Sequence, residues 1–387
     1  MKMTERLYNQ NAYLRTFQAR VLSVSEGKGG YLVETDATAF FPEGGGQGAD
    51  RGTLGGFEVL DVQEREGRVF HLLGGAPRVG DIVSGEVDFA LRFERMQCHT
   101  GEHIVSGVLH RLCGAENVGF HLGDIVTLDI DVVVDRATLD RAEDLANEAV
   151  FKNIPVEISY PAPEALASMT YRAKLDLTEN VRIVTIGDVD ACACCAPHVA
   201  YTGEIGLIKI LEFEKHRGGT RIWMQAGARA LRDYREKYRN IAAIGAALSA
   251  KQHESAEAVQ RLIEQNAQLE YEFKRHRLRS AAARAEGISK TEGSLAVFLD
   301  EDASYDELRA LCLAARERVG GIAAALSKCG DLFRYVMSAE KFAVEEHLKP
   351  IHAALSGRGG GRGGIVQGTL AADEEAIRAY FASLVLA

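Results

Sequence analysis

No apolar stretch in this 387-residue chain reaches the roughly 20 residues needed to cross a bilayer, and the start, Met1-Lys2-Met3-Thr4-Glu5-Arg6, lacks the apolar run of a secretory signal. These absences argue against a membrane protein and lead to the expectation of a cytoplasmic one. Positive charge is in deficit: 45 Lys and Arg stand against 55 Asp and Glu, a formal net charge of −10. Such a balance argues against a protein that coats nucleic acid without selectivity, because phosphate needs cationic side chains where the backbone lies. Seven cysteines is an odd count for a disulfide framework. Three of them crowd at Cys192, Cys194 and Cys195, a pattern that suits metal ligation in a reducing compartment. Cys98, Cys113, Cys312 and Cys329 are expected to be packing residues.

What is present is ordinary globular material, 47% hydrophobic and 26% charged, enough for two or three domains with their own cores. The negative total hides two basic concentrations. Lys215, His216, Arg217, Arg221, Arg229, Arg232, Arg235, Lys237 and Arg239 form one, and Lys274, Arg275, Arg277, Arg279 and Arg284 the other. Each reads equally as a solvated helix face.

Two short motifs about ninety residues apart carry the chemistry. His99 and His103 are four residues apart, so on a helix their imidazoles face the same side and can meet one ion. Downstream, Cys194-Cys195-Ala196-Pro197-His198 adds a thiolate and a third imidazole, and Pro197 argues for a turn there. Either motif alone is more often packing. Together they predict one tetrahedral site of nitrogen and sulfur donors, which favours zinc over magnesium or calcium. Cys192 or Cys195 competes with Cys194 as the thiolate. Glu102, between the two histidines, reads as their hydrogen-bond partner, as a general base or as a solvated helix carboxylate.

Along the chain, alternating segments from Leu14 to about Phe89, broken by glycine-rich turns, predict a small β-barrel. Within it, Gly44, Gly45 and Gly46 precede Gln47 and let the backbone approach a ligand or another domain closely. A helix over about Arg92 to Leu112 carries both histidines. Strands are expected at Asp124 to Val134, near Pro155 to Tyr160, at Val181 to Ile186 and at Ile205 to Phe213, with a helix from Thr138 to Phe151. From about Ala228 to Glu286 helix formers run without interruption. Val259, Leu262, Asn266, Leu269 and Phe273 there make a heptad seam, which predicts a homodimer through a coiled coil or else a hairpin packed on its own chain. The rest again alternates strand and helix. It contains Ser356-Gly357-Arg358-Gly359-Gly360-Gly361-Arg362-Gly363-Gly364, where free backbone N–H groups and Arg358 and Arg362 suit phosphate, although a plain loop reads as well. The fold class is α/β (α+β), divided into a β-barrel over 1–89, a metal-binding core over 90–227, a helical linker over 228–286 and a C-terminal α/β domain over 287–387.

Further stretches sharpen this reading: Thr38 to Gln47 with Asp50 and Gly52, Thr202-Gly203-Glu204-Ile205-Gly206-Leu207-Ile208-Lys209-Ile210 after the second motif, and Gln367-Gly368 after the glycine-arginine run. With the metal motifs, they resemble the freestanding alanyl-tRNA editing proteins of the AlaX type, whose catalytic core is shared with the editing domain of alanyl-tRNA synthetase. The C-terminal part is similar to the DHH-associated domain. The resemblance covers nearly the whole chain, and no aminoacylation domain precedes the barrel, which fits a freestanding editor. It implies hydrolysis in trans of mischarged tRNA(Ala), chiefly Ser-tRNA(Ala) and also Gly-tRNA(Ala), at one Zn²⁺ per chain held by His99, His103, Cys194 and His198. It further implies substrate contacts from Thr38, Gly45, Gly46 and Gln47 at a cleft between barrel and core. His121 would meet the aminoacyl group, and Arg358 and Arg362 the tRNA. One departure stands out: the synthetase pattern Cys-Gly-Gly-Thr-His is replaced here by a stiffer Cys194-Cys195-Ala196-Pro197-His198.

Rival readings remain. His99-Thr100-Gly101-Glu102-His103 also satisfies the inverted zinc-peptidase pattern His-x-x-Glu-His, with Glu102 as base, but that scheme has no place for Cys194 and His198. A nonenzymatic RNA-binding protein with a structural zinc is the other class. A phosphoesterase fails because no Asp-His-His sequence accompanies the C-terminal resemblance.

Overall fold

From Thr16 to Val21 in the strand Thr16–Gly27 every second residue is apolar, and Phe17, Ala19 and Val21 turn inward while their neighbours face solvent. In the computed structural model, which describes residues 3–173, 181–300 and 302–384, this strand joins Gly30–Thr35, Arg68–Leu73, Phe57–Arg65, Gly52–Leu54 and Ile82–Val87 in a closed barrel. Closure leaves its interior to side chains such as Phe40, Leu54, Val59 and Leu73. The described residues divide into two units, 1–242 and 243–387. Among them no helix is long and apolar enough to cross a membrane.

In the first unit the barrel runs into a 25-residue helix, Phe89–Cys113. Asp88 caps its start by accepting the Leu91 N–H, and Gly114, at φ 68°, ends it by donating to the carbonyl of His110. Residues 96–109 are buried without exception, as befits a helix covered on every side. One side is covered by a sheet of Ile208–His216, Gly219–Ala226, Val126–Ile130 and Asn117–Leu122, in that order, together with the helix Arg136–Phe151. Near Asp190, which begins the last strand of the sheet Val156–Ser159, Ile183–Ile186 and Asp190–Ala193, the backbone crosses the helix at Gly107. A Cβ on Gly107 would lie 2.4 Å from the carbonyl oxygen of Val189, so no other residue permits that approach.

The expected helices and strands recur with shifted ends, and the core strands Asn117–Leu122, Asp190–Ala193 and Gly219–Ala226 had no counterpart in the sequence reading. Asn117–Leu122 and Gly219–Ala226 flank the central strand, which is shorter than the expected Asp124 to Val134. Ile205, expected to begin a strand, instead ends the 3-10 turn Thr202–Ile205, and the strand starts at Ile208. The first basic concentration is not one helix face, because Lys215 to Arg221 lie on a hairpin where Arg221 pairs with Asp129 at 2.7 Å.

The expectation of unbroken helix from 228 to 286 is corrected: Gly227–Leu248, most of it in the first unit, and Ser255–Ala283, in the second, are separate helices. Between them Ser249 takes a left-handed φ of 51°, and the Ser255 hydroxyl donates to the carbonyl of Gln252 at 2.8 Å, a local bond that competes with helix continuation. Arg277 and Lys274 of the second helix pair with Glu307 and Asp306 of the helix Tyr305–Arg316. A five-stranded sheet, Leu295–Phe298, Ile322–Cys329, Leu332–Ala339, Ile365–Leu370 and Gly357–Gly361, completes the unit, with apolar clusters on both faces.

One buried histidine inside the barrel has a measurable consequence. His71 donates from Nδ1 to the carbonyl of Val33 at 3.0 Å, and the Thr38 hydroxyl donates to Nε2 at 2.8 Å. Burial pushes its pKa down to about 4, against the Val33 bond, so the ring stays neutral. Its unfolded pKa is near 6.5. Its contribution is therefore complete above that pH and is lost as pH falls toward 4, on the order of 3 kcal/mol in full. Urea melts from pH 7 to 4 are expected to show the stability difference between wild type and His71→Gln narrowing as pH falls. A difference constant across that range would show that His71 does not titrate with folding.

Candidate metal centre

His99 and His103 lie on the buried middle of the helix Phe89–Cys113, and the turn 194–198 brings Cys194 and His198 to them. The donor atoms of all four residues lie within 4.8 Å of one another. Cys194 Sγ stands 3.5 Å from His99 Nε2 and 3.4 Å from His198 Nε2. Bond lengths of about 2.0–2.1 Å to nitrogen and about 2.3 Å to sulfur in a tetrahedral zinc site imply a nitrogen–sulfur separation of about 3.5 Å. The donor set and its spacing therefore fit zinc.

Each imidazole is oriented by a bond on its far nitrogen. His99 Nδ1 donates to Gln47 Oε1 at 2.9 Å, His103 Nδ1 to Asp190 Oδ2 at 3.1 Å, and His198 Nδ1 meets Thr100 Oγ1 at 3.1 Å. Three such bonds leave three Nε2 atoms as lone-pair donors toward one point. Burial alone would push the Cys194 thiol up, but the surrounding imidazoles of His99, His198 and His103 hold it well below its ordinary value. Burial drives His198 down to about 3 despite the neighbouring Cys194, which keeps that imidazole neutral as a ligand must be.

The turn is built by residues on several elements. Arg182 Nη1 donates to the carbonyls of Cys194 and Ala196 at 2.7 and 2.9 Å, so the guanidinium clasps the backbone on both sides of Cys195. Beyond His198, Glu204 accepts from the N–H groups of Ala200 and Tyr201 and from the Tyr13 hydroxyl at 2.7 Å, and the Thr202 hydroxyl donates to the carbonyl of Ala149. The Thr-Gly-Glu stretch thus anchors the chain that leaves the turn.

The other sequence-predicted residues distribute differently. Cys192 falls with His103 and Asp190 in a second group of three donors, and Cys195 is exposed. Gln47 is buried against His99, with its Nε2 unpartnered. Gly45 and Gly46 are exposed, and Gly46 accepts from the Leu122 N–H at 2.8 Å. Thr38 is fully buried, its hydroxyl bonded to His71. Glu102 is no solvated carboxylate: it is buried and accepts from Ser106 and from Asn117 Nδ2, the latter at 2.6 Å. His121 is exposed on the strand Asn117–Leu122, next to Phe120, whose ring lies 4.8 Å from that of His99. Arg358 and Arg362 are exposed at the edge strand of the second unit. Of the four residues that hold this centre from outside, Gln47 was singled out by sequence reasoning, though for substrate, whereas Thr100, Asp190 and Arg182 were missed. Thr100 and Asp190 sat inside the motifs already under scrutiny.

Gly46 is the tightest point of the loop that carries Gln47. At φ 80°, a Cβ there would also lie 2.4 Å from the carbonyl oxygen of Phe120. Gly46→Ala is expected to lower stability by about 1–3 kcal/mol in thermal or urea melts. A variant as stable as wild type would mean that the loop accommodates a side chain.

Residues 181–222 match the family described as the threonyl and alanyl tRNA synthetase second additional domain. The chain is 36% identical over 249 residues to the alanyl-tRNA editing protein AlaX-L of Pyrococcus horikoshii, covering 62% of each chain. It is 34% identical over 359 residues to an alanine–tRNA ligase of Halobacterium salinarum, 86% of this chain and 38% of that one. It is 31% identical over 406 residues to the ligase of Pyrobaculum calidifontis, 97% of this chain and 43% of that one. The chain thus spans less than two thirds of the length of the curated relatives it matches. Among solved structures, the C-Ala domain from Aquifex aeolicus alanyl-tRNA synthetase matches 24% of this chain and 96% of its own, at 24% identity and a TM-score of 0.21. By these matches the chain is related to the alanyl-tRNA editing proteins, as its motifs imply, and to the corresponding part of the alanine–tRNA ligases.

Proposed function

We propose that this protein is a trans-editing hydrolase that deacylates mischarged tRNA(Ala), chiefly Ser-tRNA(Ala) and also Gly-tRNA(Ala), with one zinc ion held by His99, His103, Cys194 and His198. The observation that carries this reading is the convergence of three oriented imidazoles and a cysteine sulfur in a chain related to editing proteins. Bound zinc would supply Lewis-acid polarisation at the aminoacyl ester. The protein's own residues would do the rest. Gln47, through His99, ties the glycine loop to the centre, and its unpartnered Nε2 is a donor beside it. Exposed Gly45 and Gly46 leave backbone for the approach of the tRNA 3′ end. His121, exposed one residue from Phe120, is proposed to meet the aminoacyl group. A pocket that hydrogen-bonds the serine hydroxyl would reject alanine, which leaves those polar groups unpaired.

Two earlier candidates take other roles in this proposal. The bonds of Glu102 to Ser106 and Asn117 suit it to tying the histidine helix to the neighbouring strand, which also removes the base that a peptidase would need. Thr38 serves the barrel through His71. The chemistry is assigned to residues 90–227 with the barrel, 1–89, lending Gln47. Tracking of tRNA phosphates is assigned to 287–387 through Arg358 and Arg362. The linker, 228–286, is assigned to dimerisation, since Val259, Leu262, Leu269 and Phe273 of the heptad seam are exposed in the single chain. Sedimentation at micromolar concentration should then report a dimer that Leu262→Lys, Leu269→Lys converts to monomer; a monomeric wild type would sink the assignment.

Deacylation of Ser-tRNA(Ala), Gly-tRNA(Ala) and Ala-tRNA(Ala) tests the function. Rapid loss of serine and glycine with alanine spared is expected, abolished in Cys194→Ala, His198→Ala. A complete set of four protein ligands also suits a structural zinc in an RNA-binding protein. Survival of all three esters in the presence of zinc-loaded, tRNA-binding protein would establish that second reading instead.

A further inference from the structure

His103 belongs to two groups of donors at once. On one side are His99, Cys194 and His198; on the other are Asp190 and Cys192, whose donor atoms also lie within 4.8 Å of His103 and of each other. A thiolate, a carboxylate and an imidazole at that spacing are a competent ligand set in their own right.

Arg172 stands in the way of that second set. Its Nε donates to Asp190 Oδ1 at 2.8 Å and its Nη2 to Oδ2 at 2.9 Å, a two-bond fork on a carboxylate that is only 2% exposed. The same Oδ2 accepts from His103 Nδ1 at 3.1 Å. The backbone of Arg172 is pinned beside it, with its N–H donating to the carbonyl of Ala191 and its carbonyl accepting from Ala193. Both oxygens of Asp190 are therefore engaged, and a fixed positive charge sits where a second cation would have to enter. With Nδ1–H of His103 donating to Asp190, the lone pair of the neutral ring is on Nε2, toward Cys194.

We propose that Arg172 is a positioning residue that selects the ligand set: by occupying both oxygens of Asp190 it withholds Asp190 and Cys192 from the metal and commits His103 to the set containing Cys194. The inference rests on the metal reading of His99, His103, Cys194 and His198. A lysine at 172 would restore the charge but not the fork, so it substitutes only in part.

The full-length protein is to be loaded with zinc for chelator competition and with cobalt(II) for absorption of the cobalt–thiolate bands, as wild type, Arg172→Ala, Arg172→Lys, Arg172→Ala with Cys192→Ser, and Cys194→Ala. Arg172→Ala is expected to bind zinc on the order of 10–100-fold more weakly and to show an altered thiolate band that Cys192→Ser abolishes, with Arg172→Lys intermediate. Wild-type affinity and spectrum in Arg172→Ala would overturn the proposal. So would weakened affinity with a spectrum indifferent to Cys192→Ser, which would make Arg172 a structural support only. If circular dichroism shows Arg172→Ala unfolded, Arg172→Lys with and without Cys192→Ser carries the same comparison. Undiminished zinc affinity and an unchanged cobalt band in Cys194→Ala would overturn the four-residue metal reading itself, a failure distinct from that of Arg172.

Discussion

A fully buried cation on the histidine helix holds the first unit together. Arg92 is inaccessible to solvent, and it donates to Asp50 and to the carbonyls of Ala39 and Ala12, so one guanidinium joins the helix, the barrel wall and the N-terminal segment. Asp50 in turn accepts from the Phe41 N–H at 2.6 Å. A buried charge must be matched in place, and separating helix from barrel would leave both partners desolvated and alone. This pair fixes the chain between Phe41 and Asp50 at both ends. Gln47 lies between those ends, and so the orientation of His99 depends on an ion pair elsewhere in the fold.

The centre is ordered by relays of this kind. Gln47, Thr100 and Asp190 each hold an imidazole by its far nitrogen, and each is itself held: by the loop, by the helix and by Arg172. Arg182 and Glu204 fix the two ends of the cysteine turn through backbone atoms. A cluster of three histidines and a thiol would otherwise carry mutual repulsion and desolvation in a buried space. The oriented network turns it into a preformed set of donors, so little reorganisation would accompany the proposed metal binding.

Much of the fold was legible because its signals are local. The histidine helix could be read from periodicity, and the Asp135 cap could be read from its chemistry, since Asp135 accepts from the Thr138 N–H. Alternating residues from Leu14 to Phe89 carried a barrel's pattern because each strand buries one face. The strands Asn117–Leu122 and Gly219–Ala226 escaped notice because they are short and mix apolar with polar residues, and such short runs carry little periodicity. The helix break at 249–254 escaped for a different reason. It contains neither glycine nor proline, and Ser249 and the Ser255 hydroxyl make it through conformations that composition does not reveal.

For the site, residue type and spacing were enough to identify His99, His103, Cys194 and His198 as one set, because donor chemistry and helical period are properties of the chain itself. Tertiary structure alone decided which nitrogen of each imidazole faces inward, since that choice belongs to partners 52, 87 and 98 residues away. It also decided that Glu102 turns to Ser106 and Asn117, and that Thr38 is enclosed with His71. A hydrogen bond between residues remote in sequence leaves no periodicity to read, and only packing brings its two ends together.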